Sequence, residues 1–572
     1  MVYEDKKLDV AFAGRRQILL GMMVCIVVLL IGRAVDLQVL MSGSLQKASN
    51  SRSLRVVEVP AFRGEILDRN GIPLAVSVPV QSIWINPQKF QSSSSEEATI
   101  GKLLAIPQQR LSALLERSKG KSFVYLKRRI NPDLAEQVAN LGLEGLYFKQ
   151  EYRRYYPKGE VASHLVGFTD IDDSGQEGLE GAFDSVLKGV PGGKRIIRDG
   201  RRRVIENVES LSAPTSGQNL TLSIDQRLQY LAYRELKSAV IQHRARSGAL
   251  VLLDSRTGEV LAMVNQPSFN PNTRKGLKGF RYRNRVVTDL FEPGSTIKPF
   301  AVACALEEGK YRVDSIVDTT PGFFRVGRNI VRDTHDYGLL DVAQVIQKSS
   351  NVGATKIALS LEPNDMWKFY DSLGFGQSVG VGLPAEATGR LPDHHEWRPF
   401  DQAILSFGYG LSGSALQLAR AYTVFANNGE LSSISLFRRA NDDNRQSVMS
   451  PETAIQIRQM LEQVITRDGT AYRASVADYR VAGKTGTVKK LGKNGYEKDR
   501  YLALFAGLAP ASNPRLVMVV VIDEPSTGDY YGGVVAAPVF SKVMSSALRM
   551  LGVSPDGLET VRRTVKRKAG AA

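Results

Sequence analysis

The chain has 572 residues, 43% of them hydrophobic, and a formal net charge of +17 at pH 7. That length and apolar content suit two or three domains, each with its own core. Lys and Arg are scattered or in short runs without zinc-finger or RNP-type spacing, which sets aside nucleic acid and leaves an anionic membrane or wall polymer as the partner class the charge fits.

The N-terminus carries the first element. Residues 17–32 hold no charge, are dominated by Ile, Leu, Val and Met, and lie between Arg15-Arg16 and Arg33. Arg side chains snorkel and residues 34–40 prolong the apolar character, so a single transmembrane helix is predicted over 17–40. Lys6, Lys7, Arg15 and Arg16 place residues 1–16 in the cytoplasm and send the remainder across. A cleaved signal peptide shares this pattern, but no A-x-A site follows, so the segment reads as an uncleaved anchor. Cys25 lies within it, and a disulfide with Cys304, the other cysteine, is not expected.

Residues 41–215 turn polar and mixed. Residues 56–59 and 81–86 read as short strands, 63–71 contain a turn, and 91–97 form a Ser-rich loop. No catalytic constellation appears, and the segment reads as a spacer and interaction module. Lys194, Arg195, Arg198 and Arg201 to Arg203 read as a solvated basic face. His164, His243, His335, His394 and His395 are too scattered for a metal site, and Asp170, Asp172 and Asp173 lack the rest of a calcium loop. No metal and no cofactor are expected.

A boundary is predicted at residues 212–219, rich in Ser, Pro, Gly and Thr. A helix follows over 225–240, then a hairpin with strands 249–253 and 259–264 around Arg256-Thr257-Gly258. Three more strands, 479–488, 501–508 and 516–522, and a helix over 538–551 close the domain. Two strands early and three late predict one antiparallel sheet built from both ends, with a helical region inserted. A basic tail occupies 556–572.

Three motifs fall inside this frame. In Glu292-Pro293-Gly294-Ser295-Thr296-Ile297-Lys298, a Pro-Gly break precedes an apolar run that suits a helix ending at Gly309. Ser295 then sits at a helix N-terminus with Lys298 on the same face. The amine can approach the hydroxyl, and the positive end of the helix is expected to lower the lysine pKa. S-x-x-K also occurs at Ser44/Lys47, Ser118/Lys121 and Ser185/Lys188, so the pair alone decides nothing. Ser349-Ser350-Asn351 lies before a helix-like stretch, and Lys484-Thr485-Gly486-Thr487 lies on a predicted strand. There Gly486 would admit a ligand backbone, and the flanking side chains would supply charge and hydroxyls for a carboxylate. A strand edge can also hold an extended peptide.

In the order S-x-x-K, S-x-N, K-T-G, on helix, loop and strand, these motifs are the signature of penicillin-recognising serine enzymes. The sequence resembles class B penicillin-binding proteins along nearly its whole length. Residues 63–71, Arg154-Tyr155-Tyr156-Pro157 through His164, Gly167 and Gly178-Leu179-Glu180-Gly181, then 333–338, Phe407-Gly408-Tyr409-Gly410-Leu411 and 532–540 also match. No glycosyltransferase domain precedes them, which sets aside class A. Length and the Arg-Tyr-Tyr-Pro-x-Gly-Glu segment look most like the cell-division (septal) subgroup, penicillin-binding protein 3. Gly413-Ser414-Ala415-Leu416-Gln417 departs from the family's Val-Thr pattern.

The resemblance implies an α+β fold: transmembrane helix, mixed N-terminal pedestal or dimerisation-like module (41–215), and transpeptidase domain (216–555) with a five-stranded antiparallel sheet flanked by helices and a helical subdomain. It implies a D,D-transpeptidase crosslinking peptidoglycan stem peptides that end in D-Ala-D-Ala, with β-lactams as covalent inhibitors. Ser295 would attack, Lys298 take its proton, Ser349 relay a proton between the lysines, and Asn351 hold the substrate amide. The Ser295 and Thr487 amides would form the oxyanion hole, and Lys484, Thr485 and Thr487 would bind the terminal carboxylate. It further implies a SEDS-type glycan polymerase and other division proteins as partners at a bacterial inner membrane, with the catalytic domain in the periplasm at the septum. Two alternatives share the motifs: an inactive scaffold, and a membrane-anchored β-lactamase or β-lactam sensor. A β-lactamase needs a Glu that activates water, in an E-x-x-x-N segment; here Glu386 has Arg390 where that Asn would be.

Overall fold

The structure, a computed structural model, describes residues 5–43, 54–198, 204–273, 279–492 and 495–557. Residues 558–572 of the expected basic tail, Arg201 to Arg203 and the Ser44/Lys47 pair lie outside the described residues. The chain divides into two compact units, Met1–Phe62 with Gly189–Ser216, and Arg63–Lys188 with Gly217–Ala572.

The first unit holds a helix over Asp5–Val35 that continues as a π-helical turn over Asp36–Leu40. Across Gly14–Leu40 the mean hydropathy is 2.7 and no side chain is buried, and among the described residues it is the one helix long and apolar enough to cross a membrane. An apolar surface of this length is stable only when lipid covers it. The same unit contains a three-stranded antiparallel sheet of Leu54–Val59, Gly192–Arg198 and Val204–Ser212.

The second unit begins with a long strand, Pro73–Ile85, paired with Leu146–Tyr155 and Val124–Ile130. Ile83, Ile85, Ile100, Leu104, Leu111 and Val138 form a small core behind it. The loop expected at 91–97 is a helix start instead. Ser93 caps a helix over Ser94–Leu104, its hydroxyl accepting from the Glu96 amide while the Glu96 carboxylate accepts from Ser93 N. The serine-rich composition hides a capping box, S-x-x-E.

A buried charge node ties together three of the segments singled out above. Arg63 Nε lies 2.7 Å from Glu180 Oε2 and its Nη1 2.6 Å from Asp184 Oδ1, while Arg154 Nε reaches Glu180 Oε1 at 2.6 Å. Both arginines and Glu180 are buried, so each carboxylate contact offsets a large desolvation cost.

Beyond it stands an α+β domain. Asp225 caps helix α1 (Gln226–Gln242). Strands β1 (Ser247–Asp254) and β2 (Val260–Gln266) follow, then the helical region that includes α2 (Lys298–Glu307) and α3 (Asn351–Ala358). Strands β3 (Ala482–Gly492), β4 (Gly495–Ala509) and β5 (Leu516–Asp523) complete the sheet, and α4 (Ala537–Met550) closes the domain. The order is β2-β1-β5-β4-β3, antiparallel throughout. Every residue of β1 and β2 is buried, because helices cover both faces of this part of the sheet, and their continuous apolar runs follow from that. β3 is left at the edge.

Candidate active site

The nucleophile candidate sits where the sequence places it, at the front of a buried helix. Residues Gly294–Ile297 form a 3₁₀ turn that runs directly into α2, whose residues from Lys298 to Ala305 are all buried. Phe300 stacks on Phe425 with ring centroids 4.9 Å apart, and the Tyr422 hydroxyl donates to Thr296 O at 2.8 Å, so the turn is held from behind. Gly294 has a φ of +54°, and a Cβ there would collide with Val488; one on Gly408 would collide with the Gly294 backbone. Glycine at both positions lets the loop lie against β3.

Lys298 and Lys484, both fully buried, converge on one oxygen. Lys484 Nζ donates to Ser349 Oγ at 2.9 Å and Lys298 Nζ to the same atom at 3.2 Å. Lys298 Nζ also donates to Ser349 O and, at 2.8 Å, to Asn351 Oδ1. Among the described residues no hydrogen bond joins Lys298 to the half-buried Ser295 hydroxyl. Burial pulls the Lys298 pKa down to about 7, against the opposing attraction of Asp333. Desolvation accounts for the direction of the shift, which is the direction expected from the sequence. Lys484 is also held well below its ordinary value, by burial first and then by the charge of Lys298.

Ser349 owes its position to an uncommon backbone. It ends the helix Val342–Lys348 in the left-handed region, φ 62° and ψ 37°, and Ser350 immediately caps α3. Such a conformation in a non-glycine residue costs on the order of 1 kcal/mol or more and persists only where neighbours fix it. Asp333 supplies that fixing. Its carboxylate accepts from Ser350 Oγ at 2.5 Å, from Asn351 N, and from Val352 N at 3.1 Å, at the positive end of α3. The sequence marked Asp333 only as the start of a matching segment and gave it no role.

On β3, residues 484 and 485 point to opposite faces. Thr485 Oγ1 lies 2.9 Å from Thr470 Oγ1, and Thr487 Oγ1 accepts from Gly532 N at 3.0 Å. Thr470 is a neighbour that no motif signals. A Cβ on Gly486 would stand 3.1 Å from Pro293 O and from Leu504, so this glycine lets the nucleophile loop lie close against β3. Among the described residues β3 pairs only with β4 in the sheet, and such a strand edge can take an extended peptide.

Two other readings meet the structure here. Both oxygens of Glu386 are engaged by backbone amides, Gly380 N at 2.8 Å and Val381 N at 3.1 Å, so this carboxylate pins a turn. The departing segment 413–417 is well formed: Gly413 bridges to Phe291, and Ser414 and Gln417 make a capping box for the helix Ala415–Ala426. The histidines, expected to be scattered, include one grouping: Asp393, His394 and His395 bring their ligand atoms within 4.8 Å of one another, and only His394 of the three is not exposed.

The sequence matches two family patterns, the penicillin binding protein transpeptidase domain at residues 248–545 and the penicillin-binding protein dimerisation domain at residues 58–222. It is 40% identical over 556 residues to the probable peptidoglycan D,D-transpeptidase PenA of Neisseria gonorrhoeae, covering 96% of this chain and 95% of that one. It is 41% identical over 551 residues to the peptidoglycan D,D-transpeptidase FtsI of Escherichia coli K12, covering 96% and 93%. Among solved structures, the transpeptidase domain of Burkholderia pseudomallei penicillin-binding protein 3 matches with a TM-score of 0.55 and 44% identity, over 59% of this chain and 97% of that one. A peptidoglycan synthetase from Bifidobacterium adolescentis shares the fold, with a TM-score of 0.70 and 23% identity over 88% and 98%.

Proposed function

The chain belongs to the class B penicillin-binding proteins and is a peptidoglycan D,D-transpeptidase of the penicillin-binding protein 3 type; on that premise we propose that Ser295 is its acylated serine. The observation that best supports this is the pair of buried lysines meeting at Ser349 Oγ behind the Ser295 turn. Neutral Lys298 takes the Ser295 proton as Oγ attacks the penultimate D-Ala carbonyl of a stem peptide. Ser349, donating toward the leaving nitrogen while accepting from the lysines, returns that proton and the terminal D-Ala departs. The Ser295 and Thr487 amides stabilise the oxyanion, each contributing about 3–4 kcal/mol. Lys484, Thr485 and Thr487 hold the terminal carboxylate, and Asn351 the substrate amide. The amine of a second stem peptide then attacks the acyl-serine and closes the crosslink. β-Lactams bind and acylate the same serine.

The chain carries one N-terminal helix fit to span a membrane. We assign residues 1–16 to the cytoplasm of a bacterium, 17–40 to its inner membrane, 41–215 to a pedestal module, 216–555 to the transpeptidase domain in the periplasm and 556–572 to a basic tail. Septal placement, a SEDS-type glycan polymerase and other division proteins complete the proposal.

The test is intact-mass spectrometry of the full chain with penicillin. Ser295→Ala should abolish the adduct and leave the Tm within a few degrees; labelling that survives in the folded variant refutes the assignment. With Glu386 occupied by a turn, the wild-type adduct should last many minutes, whereas rapid return to the free mass with release of hydrolysed drug would make the chain a β-lactamase.

A further inference from the structure

A cluster of metal-ligating side chains lies outside the serine site, in the helical region of the transpeptidase domain. Asp393, His394 and His395 are consecutive, and their ligand atoms all lie within 4.8 Å of one another. Consecutive residues in a strand would point to opposite faces. Here a compact 3₁₀ turn over His394–Glu396, with Asp393 as its cap, brings the three together. None of them is hydrogen-bonded to Ser295, Lys298, Ser349 or Lys484 among the described residues.

The turn is fixed by its own contacts. Asp393 Oδ1 accepts from His395 N at 3.0 Å, Trp397 N donates to His394 O at 3.1 Å, and the Trp397 indole donates to Pro392 O at 3.2 Å. Behind it, Trp367 on the helix Pro363–Ser372 packs on His394 with ring centroids 5.5 Å apart. A site preorganised in this way binds with little further ordering cost.

An orphaned nitrogen points to what the turn holds. His394 Nδ1 is buried and has no hydrogen-bond partner among the described residues, although Asp393 Oδ1 stands only 3.3 Å away. A ring nitrogen and a carboxylate oxygen that approach so closely without a hydrogen bond can each offer a lone pair to a third centre. Two ligand atoms of a tetrahedral zinc site, each about 2.0–2.1 Å from the ion, stand about 3.3 Å from one another. The His394 and Asp393 atoms hold that spacing. Asp393 and His395 are exposed, so an ion can arrive from solvent and keep water as its remaining ligand. Two imidazoles and one carboxylate suit Zn²⁺, whereas Ca²⁺ and Mg²⁺ take oxygen ligands.

We propose that Asp393, His394 and His395 form a binding site for one zinc ion, with water completing its coordination. The site is independent of the acyl-serine reading.

The test titrates the full chain in detergent, purified without a histidine tag and stripped with EDTA, with ZnCl₂ against a zinc-chelating dye. Wild type should bind one Zn²⁺ per chain with a Kd of about 10 µM or tighter. His394→Gln and His395→Gln should each weaken binding about tenfold or more, since each removes a ligand. Asp393→Asn keeps an acceptor for His395 N but loses the charge, and should weaken it by about three- to tenfold. A cooperative thermal melt shows that each variant is folded; if His394→Gln is not, the exposed His395→Gln carries the test. Folded wild type with no saturable zinc binding below about 100 µM overturns the site. Stoichiometric binding that survives substitution of the histidines also overturns it, by placing the ion elsewhere. Displacement of the zinc by millimolar Ca²⁺ or Mg²⁺ would overturn the choice of ion.

Discussion

At Arg63 and Arg154 two buried guanidinium groups share the Glu180 carboxylate, and Arg63 takes Asp184 as well. At Ser295 two equally buried ammonium groups, Lys298 and Lys484, have no ion pair among the described residues and share a serine hydroxyl instead. Both regions remove cations from water, and the partner decides the outcome. Burial works against the charge on Arg63, but Glu180 and Asp184 more than offset it and its pKa is raised. Burial works unopposed on Lys484, and nearly so on Lys298, which reaches about 7. A paired buried cation stays charged and holds segments together; an unpaired one becomes a base near neutral pH.

The sharpest way to break this comparison is to remove the unpaired cation. Lys298→Met keeps the volume and the burial but no proton acceptor, so penicillin acylation of Ser295 should fall by roughly 10³-fold while the Tm holds or rises. The wild-type acylation rate should climb with pH through about 7 and level off above it, because the neutral amine is the active form. Stability follows the same sign. With a folded pKa near 7 and an ordinary value of 10.5, the unfolded chain binds the extra proton between those limits. Stability therefore gains a contribution as pH rises from about 7 to 10.5, and Lys298→Met should lose that slope. A variant with full acylation, or a flat wild-type profile across pH 6–8, would show that the buried lysine is structural.

Removing the partner at the other node should have the opposite character. Glu180→Gln leaves Arg154 without its carboxylate and Arg63 with Asp184 alone, so the chain should lose about 3–5 kcal/mol, seen as a drop of roughly 10 °C in Tm. Acylation per folded molecule, measured well below the melting range, should change little. A shift under about 2 °C would mean that water or Asp184 already compensates the pair.

Much of the catalytic domain was legible because its signals are local. The Pro-Gly break before Ser295, the apolar runs that became β1, β2 and β5, and the spacing within S-x-x-K, S-x-N and K-T-G each need only a few neighbouring residues. What escaped depends on distance in the chain. Arg63 and Glu180 are 117 positions apart, Asp333 meets Ser350 from 17 away, and Thr470 meets Thr485 from 15 away, so no local pattern joins them. The part of the Lys298 shift that comes from burial escaped for the same reason: the helix end is visible in sequence, but complete burial by distant segments is not. The Ser93 capping box was readable and was masked by its serine-rich surroundings.

Asp333 stands between the two kinds of site, because it is a carboxylate near an unpaired cation that does not pair with it. It raises the Lys298 pKa through space while spending its oxygens on Ser350, Asn351 N and Val352 N. Asp333→Asn keeps one acceptor oxygen and loses the charge. Two effects follow, and they separate on a pH profile. Loss of the attraction lets the Lys298 pKa fall, so the rising limb of acylation should move to lower pH. Loss of one acceptor loosens the cap on α3 and with it the left-handed Ser349, so the plateau should drop by about three- to tenfold, in line with roughly 1 kcal/mol for a cap. Asp333 acts through Ser349 and Lys298 and touches no reacting atom, which makes it a positioning residue. A lowered plateau with an unmoved limb would leave it only the cap, and an unmoved plateau with a moved limb would leave it only the charge.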